Sequence, residues 1–179
     1  MPLKTMLLGF HGRIRRRDWW IWSLASALVW TAATLGLGAA LFGPSWAAGQ
    51  VGTGPLSGGW TSFAYGFVTY LPMMWVQTAL AAKRSHDRGR SAWLAAGLTA
   101  ASGLVSFVPE LVDVLSSYRL TDAEFARVSD PIRIGSAGIN LYLVVILGVL
   151  DGTRGPNRFG PSPKGIGGDA TGDVAEVFS

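Results

Sequence analysis

With 179 residues, 49% of them hydrophobic and only 15% charged, the chain is about one domain long and too poor in charge for an ordinary soluble domain. Its formal net charge of +4 points the clustered basic residues toward nucleic acid or an anionic membrane face. Cysteine is absent, which excludes disulfides and thiolate metal sites.

The first apolar segment is Trp19–Phe42, WWIWSLASALVWTAATLGLGAALF, without a charged residue. It exceeds the apolar stretch of a cleavable signal peptide and reads as a retained span. At 1.5 Å per residue it reaches about 36 Å, enough to cross a bilayer with some tilt. Trp19, Trp20 and Trp22 gather at one end, as an interfacial aromatic belt does. Residues 43–59 are uncharged and rich in Gly, Pro and Ser, the composition of a flexible loop. A second span is expected at about 60–82, kinked where Pro72 and Gln77 interrupt it.

The polar knot KRSHDRGRSAWL, residues 83–94, follows as a short turn. Gly89 supplies the positive φ of a tight helix exit, Ser91 is placed to cap the next helix, and Trp93 falls at headgroup level. The third span is expected at about 92–111. Residues 112–133 read as a polar loop holding one short surface helix, DAEFARVS. Thr121 and Glu124 have capping-box spacing at its start, and Pro131 is expected to stop it. The fourth span, about 134–150, carries Asn140. DGTRGPNRFGPSP, residues 151–163, has the Gly and Pro content of a turn, and 165–179 reads as a disordered tail. Continuous Ala- and Leu-rich runs favour helices over the alternating strands of a membrane barrel.

The fold expected is therefore all-α: a polytopic membrane protein with four transmembrane helices in one domain, residues 1–164. An even number of spans places the N-terminal segment, the 83–94 turn and the C-terminal segment on one side, with twelve of the 15 Lys and Arg residues. The positive-inside rule puts that side, and both termini, in the cytoplasm.

Three motifs then share the cytoplasmic face. Gly12, Arg13, Arg16, Trp19 and Trp20 form the first. Arg84, His86, Asp87, Gly89, Ser91 and Trp93 form the second. Gly155, Asn157, Arg158, Phe159, Gly160, Ser162 and Pro163 form the third. In this order they make the chain, from about residue 7 to 164, resemble the small bacterial inner-membrane proteins catalogued as domain of unknown function 805, the YhaH type. Ala92 departs from that pattern, where the family usually has Gly. The resemblance implies a four-span protein of the bacterial cytoplasmic (inner) membrane and supplies no activity.

For function, the residues support a non-enzymatic module. Asp87 is expected to pair with Arg13, Arg16 or Arg84, and His86 to hydrogen-bond a neighbouring turn or the tail, so that the motifs clamp the helices. The same face is expected to bind anionic lipid headgroups, a small anion or a partner protein, a second copy included. The basic run Arg13–Arg17 also serves simply to set topology. A transporter or channel subunit built on Gln77, Asn140 and the Pro72 kink is the alternative. An enzyme using His86 and Asp87 on a phosphate-bearing substrate is the weakest reading, since His11 is the only second imidazole and no His pair has metal-ligand spacing. No cofactor, metal or nucleic-acid partner is expected: the basic residues lie against the bilayer, and no helix-turn-helix pattern is present.

Overall fold

Long apolar runs in which neither side-chain period nor glycine favours a strand fold as helices, because only a helix satisfies all its backbone groups within one segment. The computed structural model describes residues 2–43, 59–116 and 120–165, and its regular structure is wholly helical among them. The elements are α1 (Leu3–Leu8), α2 (Arg16–Phe42), α3 (Gly59–Asp87), α4 (Trp93–Val105), α5 (Val108–Leu115) and α6 (Asp122–Leu143). A π-helical segment, Val144–Val149, continues α6. The loop expected at 43–59 and the tail expected at 165–179 fall, apart from residues 43, 59 and 165, outside the described residues.

Three stretches are long and apolar enough to cross a membrane: Arg16–Phe42, Trp93–Leu115 and Asp122–Val149. α3 is longer still, at 29 residues, but is not among them. It is the central helix, packed by α1, α2, α4, α5 and the π-helical segment. Its polar side chains find partners: Tyr65 and Gln77 donate to carbonyls of α2, and Thr69 and Thr78 to carbonyls one turn back in α3 itself. The core where these elements meet consists of Ile14, Trp19, Leu80, Ala81, Ala95, Leu143 and Leu147. Large apolar side chains such as Leu28, Val29, Ile134 and Leu141 point outward, as they must on a surface facing lipid.

The structure corrects several local expectations. The third span is not one helix over 92–111 but two, α4 and α5, separated by a turn at Ser106 and Phe107. Pro109 follows that turn in the first helical positions of α5, where its missing N–H costs nothing. Ser91 does not cap α4; Ala92 holds that position without a side-chain bond. The expected polar loop 112–133 is largely helix. The Thr121 capping box forms, with Glu124 N–H donating to Thr121 Oγ1 at 3.3 Å and Thr121 N–H donating to the Glu124 carboxylate at 2.8 Å. The helix it starts does not stop at Pro131, which is exposed inside α6. The fourth span and the short surface helix are thus one element. Its 28 residues, at 1.5 Å each, reach about 42 Å, which removes the shortness of a 134–150 span.

Candidate functional site

The polar knot sits where α3 ends. Asp87 is its last residue, and the four residues Lys83, Arg84, Ser85 and Asp87 are all buried there. Burying charge is costly unless each donor and acceptor is matched, so the partners decide what the knot is. Arg13 enters from the segment between α1 and α2 and is 7% exposed. Its Nε and Nη2 donate to Asp87 Oδ1 at 3.2 and 3.1 Å. Nη2 also donates to Thr153 O at 3.0 Å, and Nη1 to the carbonyls of Gly155 and Gly160 at 2.9 and 3.1 Å. The second carboxylate oxygen, Asp87 Oδ2, accepts from Arg84 Nη1. One carboxylate therefore bridges two buried guanidinium groups.

Helix ends explain the surplus of positive charge. The last four carbonyls of a helix lack intrahelical partners, and its C-terminus carries roughly half a negative charge. At the end of the π-helical segment, Arg84 donates to Leu147 O at 2.7 Å and Leu150 O at 2.5 Å. Trp20 Nε1 donates to Gly148 O at 3.1 Å, and Arg16 to Val149 O at 2.8 Å. At the end of α3, Asp87 O accepts from Thr153 N–H at 2.8 Å and Thr153 Oγ1 at 3.0 Å. At the end of α1, Lys83 Nζ donates to Met6 O at 2.8 Å and to Gly9 O. Burial pushes the Lys83 ammonium down to about 8. Three helix C-termini thus converge, and consecutive residues Lys83 and Arg84 serve two of them.

The remaining motif residues form an outer layer. In the tautomer protonated at Nδ1, His86 donates to Gly12 O at 3.2 Å, and its ring stacks on Phe159 with centroids 4.0 Å apart. Burial lowers the His86 pKa, opposed by the Gly12 hydrogen bond. Arg158 lies over the Phe159 ring, 4.7 Å from its centroid. Asn157 Nδ2 donates to His86 O at 3.0 Å and to Thr153 Oγ1 at 2.9 Å, while its Oδ1 accepts from Phe159 N–H at 2.9 Å. Gly89, at φ 69°, turns the chain as expected.

Three expected members lie elsewhere. Ser91 and Trp93 are exposed, Trp93 at 87%, and touch none of these partners. Arg16 does not reach Asp87 but pairs with Asp151 at 3.6 Å. Gln77 and Asn140 take no part in the knot's hydrogen bonds. Gln77 donates to Ser23 O at 3.1 Å and Ser26 Oγ at 3.2 Å, joining α2 to α3, while Asn140 faces the cavities between the helices.

Sequence reasoning missed Lys83, Thr153 and Gly152. A Cβ on Gly152 would overlap the Asp87 carboxylate, so only glycine lets the C-terminal segment lie against it. The signal available was the Gly-Thr pair immediately after the fourth apolar run. Outside the buried knot, Arg15, Arg16, Arg17 and Lys164 line a recess of about 310 Å³ floored by Arg84, Asp87, Asp151 and Gly152. Among the described residues, no three His, Asp or Glu side chains are grouped to hold a metal ion.

The family model described as "Protein of unknown function (DUF805)" matches residues 7–161. Two similar proteins, both named "Inner membrane protein YhaH", come from Escherichia coli strain K12 and Escherichia coli O157:H7. Each is 27% identical over 157 residues, covering 88% of this chain and 88% of the relative. No solved structure matches.

Proposed function

This multi-pass inner-membrane protein belongs to the DUF805 family, and on that premise we propose that it is a non-enzymatic membrane module. It crosses the bilayer four times with both termini in the cytoplasm. Its clamp fixes the helix ends and presents a basic rim to anionic lipid headgroups. The observation that carries the reading is the division of labour among the arginines. Arg13 and Arg84 spend their donors on protein partners, so neither they nor Asp87 is left to bind or activate a substrate. Arg15 and Arg17, by contrast, stand exposed beside Lys164 around the recess, each with one guanidinium nitrogen engaged, Arg15 Nε on Pro163 O at 2.6 Å and Arg17 Nε 3.7 Å from Asp18. A phosphodiester headgroup matches that geometry and charge, since guanidinium groups bind phosphate oxygens in pairs.

Four spans are supported by the length of α3 beside the three more apolar stretches, and the orientation by the side on which twelve of 15 basic residues fall.

The test compares lipid retention with stability. The triple substitution Arg15→Gln, Arg17→Gln, Lys164→Gln is placed in nanodiscs of mixed phosphatidylglycerol and phosphatidylcholine. At about 1 kcal/mol per basic residue near an anionic surface, co-purifying phosphatidylglycerol should fall roughly tenfold or more with an unchanged thermal midpoint. Equal retention of both lipids by the unmodified chain would sink the proposal.

A further inference from the structure

The half of the molecule away from the clamp is built differently. Between α2, α3, α5 and α6 lies a cavity of about 730 Å³. Its lining residues Tyr65 and Tyr70 are 19 and 14 positions before Arg84 on α3, which places them about 28 and 21 Å from the clamp along the helix. The walls are aromatic: Trp30 and Tyr70 meet edge to face at 5.6 Å, and Phe107 lies 5.3 Å from Tyr70. A second cavity of about 390 Å³ continues it toward the clamp, and the two share Tyr70, Ser106, Ser136 and Asn140.

Several polar groups of the outer cavity have their protons already engaged. Thr34 Oγ1 donates to Trp30 O, Thr69 Oγ1 to Tyr65 O, Ser106 Oγ to Gly103 O, and Tyr65 OH to Thr34 O, at 2.7–2.8 Å. Trp30 Nε1 is spent on Thr69 O at 2.8 Å. These protons are already committed, so these four hydroxyls have only lone pairs to offer a guest, while Thr31, Tyr70, Ser136 and Asn140 also line the cavity with donors of their own. Glu110 adds a carboxylate whose Oε2 is buried and has no hydrogen-bond partner among the described residues. Asp113, one turn further along α5, is buried but does not line the cavity. Arg133 also lines the cavity, but its guanidinium is half exposed and lies 4.0 Å from Asp130. Arg133 acts on Glu110 as well, so its one charge is divided between the Glu110 and Asp130 carboxylates.

We infer that this cavity is a binding site for a small organic cation with an apolar body, its charged head held by Glu110 and the aromatic walls. Aromatic faces attract such heads, and a volume of this size is typical of small-molecule sites. The site does not depend on the lipid-binding rim.

The chain has no cysteine, so a single Ser136→Cys substitution gives a thiol at the junction of the two cavities with no background. In nanodiscs, its modification by trimethylammonium-ethyl methanethiosulfonate is timed against the anionic sulfonatoethyl reagent. Each rate is divided by the rate on free 2-mercaptoethanol. The expected result is a cationic preference of about tenfold or more, the range over which a charged cleft raises on-rates, and its collapse on adding Glu110→Gln. A second measurement needs no change at Glu110: benzyltrimethylammonium should slow labelling by the neutral methyl reagent, while toluenesulfonate should not. Absence of labelling, equal normalised rates, or a preference that survives Glu110→Gln overturns the inference, as does failure of the organic cation to protect.

Discussion

The two ends of this helix bundle treat buried charge in opposite ways. At the clamp, three charged side chains, two helix C-termini and the C-terminal segment are matched donor to acceptor. Around the outer cavity, the Glu110 carboxylate keeps an oxygen that no described group satisfies. A charge that is fully matched holds a structure together, and removing one member strands the others. An unmatched charge in a protein interior weakens the structure and persists where it serves a guest. On the two readings proposed above, the clamp end is scaffold and the cavity end receptive, and substitutions at the two ends should then differ in their effect on stability.

Substitutions break or sharpen that contrast. The largest effect is expected for Asp87→Ala, which leaves Arg13 and Arg84 facing each other without a carboxylate. Such a break costs about 3–5 kcal/mol, enough to abolish a cooperative melt in detergent; a midpoint within a degree of the parent would refute the clamp. Gly152→Ala pushes a methyl group into the same carboxylate and should cost about 1–3 kcal/mol, read as a lower midpoint with unchanged helix content. At the other end the sign reverses. Glu110→Leu should leave stability unchanged or raise it by about 1–2 kcal/mol, and a marked destabilisation there would show that Glu110 is a structural member after all. Thr121→Ala removes the cap of α6 and should cost about 1 kcal/mol, far from both sites.

The smallest effect is a pH dependence. Burial lowers the His86 pKa below its ordinary value of about 6.5. The unfolded chain then takes up the proton first, so stability is unaffected above that pH and declines as the pH falls below it. Melting scanned from pH 7.5 to 5 should show the decline, and a His86→Gln protein should lose the part of it that His86 carries.

Much of this was legible in the residues. The apolar runs announced helices, the basic asymmetry grouped three segments, and Thr121 with Glu124 marked the start of α6. Gly89 marked the exit of α3. What stayed hidden depended on partners far apart in the chain. Lys83 looks like any flanking charge until the carbonyls of Met6 and Gly9 are placed above it. Gly152 reads as turn composition until Asp87 is set against it. Pro131 carries a stop signal that tertiary packing and the capping box upstream override. Glu110 is the sole charge in the apolar stretch 92–111, and averaging over that stretch conceals it.

The clamp also has a consequence for the order of events when the chain is made. Arg13 is made 147 residues before the last of its partners, the Gly160 carbonyl. At about 5–20 residues per second of synthesis, that guanidinium waits roughly 7 to 30 seconds for its full set of partners. The helices between them are thus made with their latch open, and only a chain translated through residue 160 carries the segment that closes it.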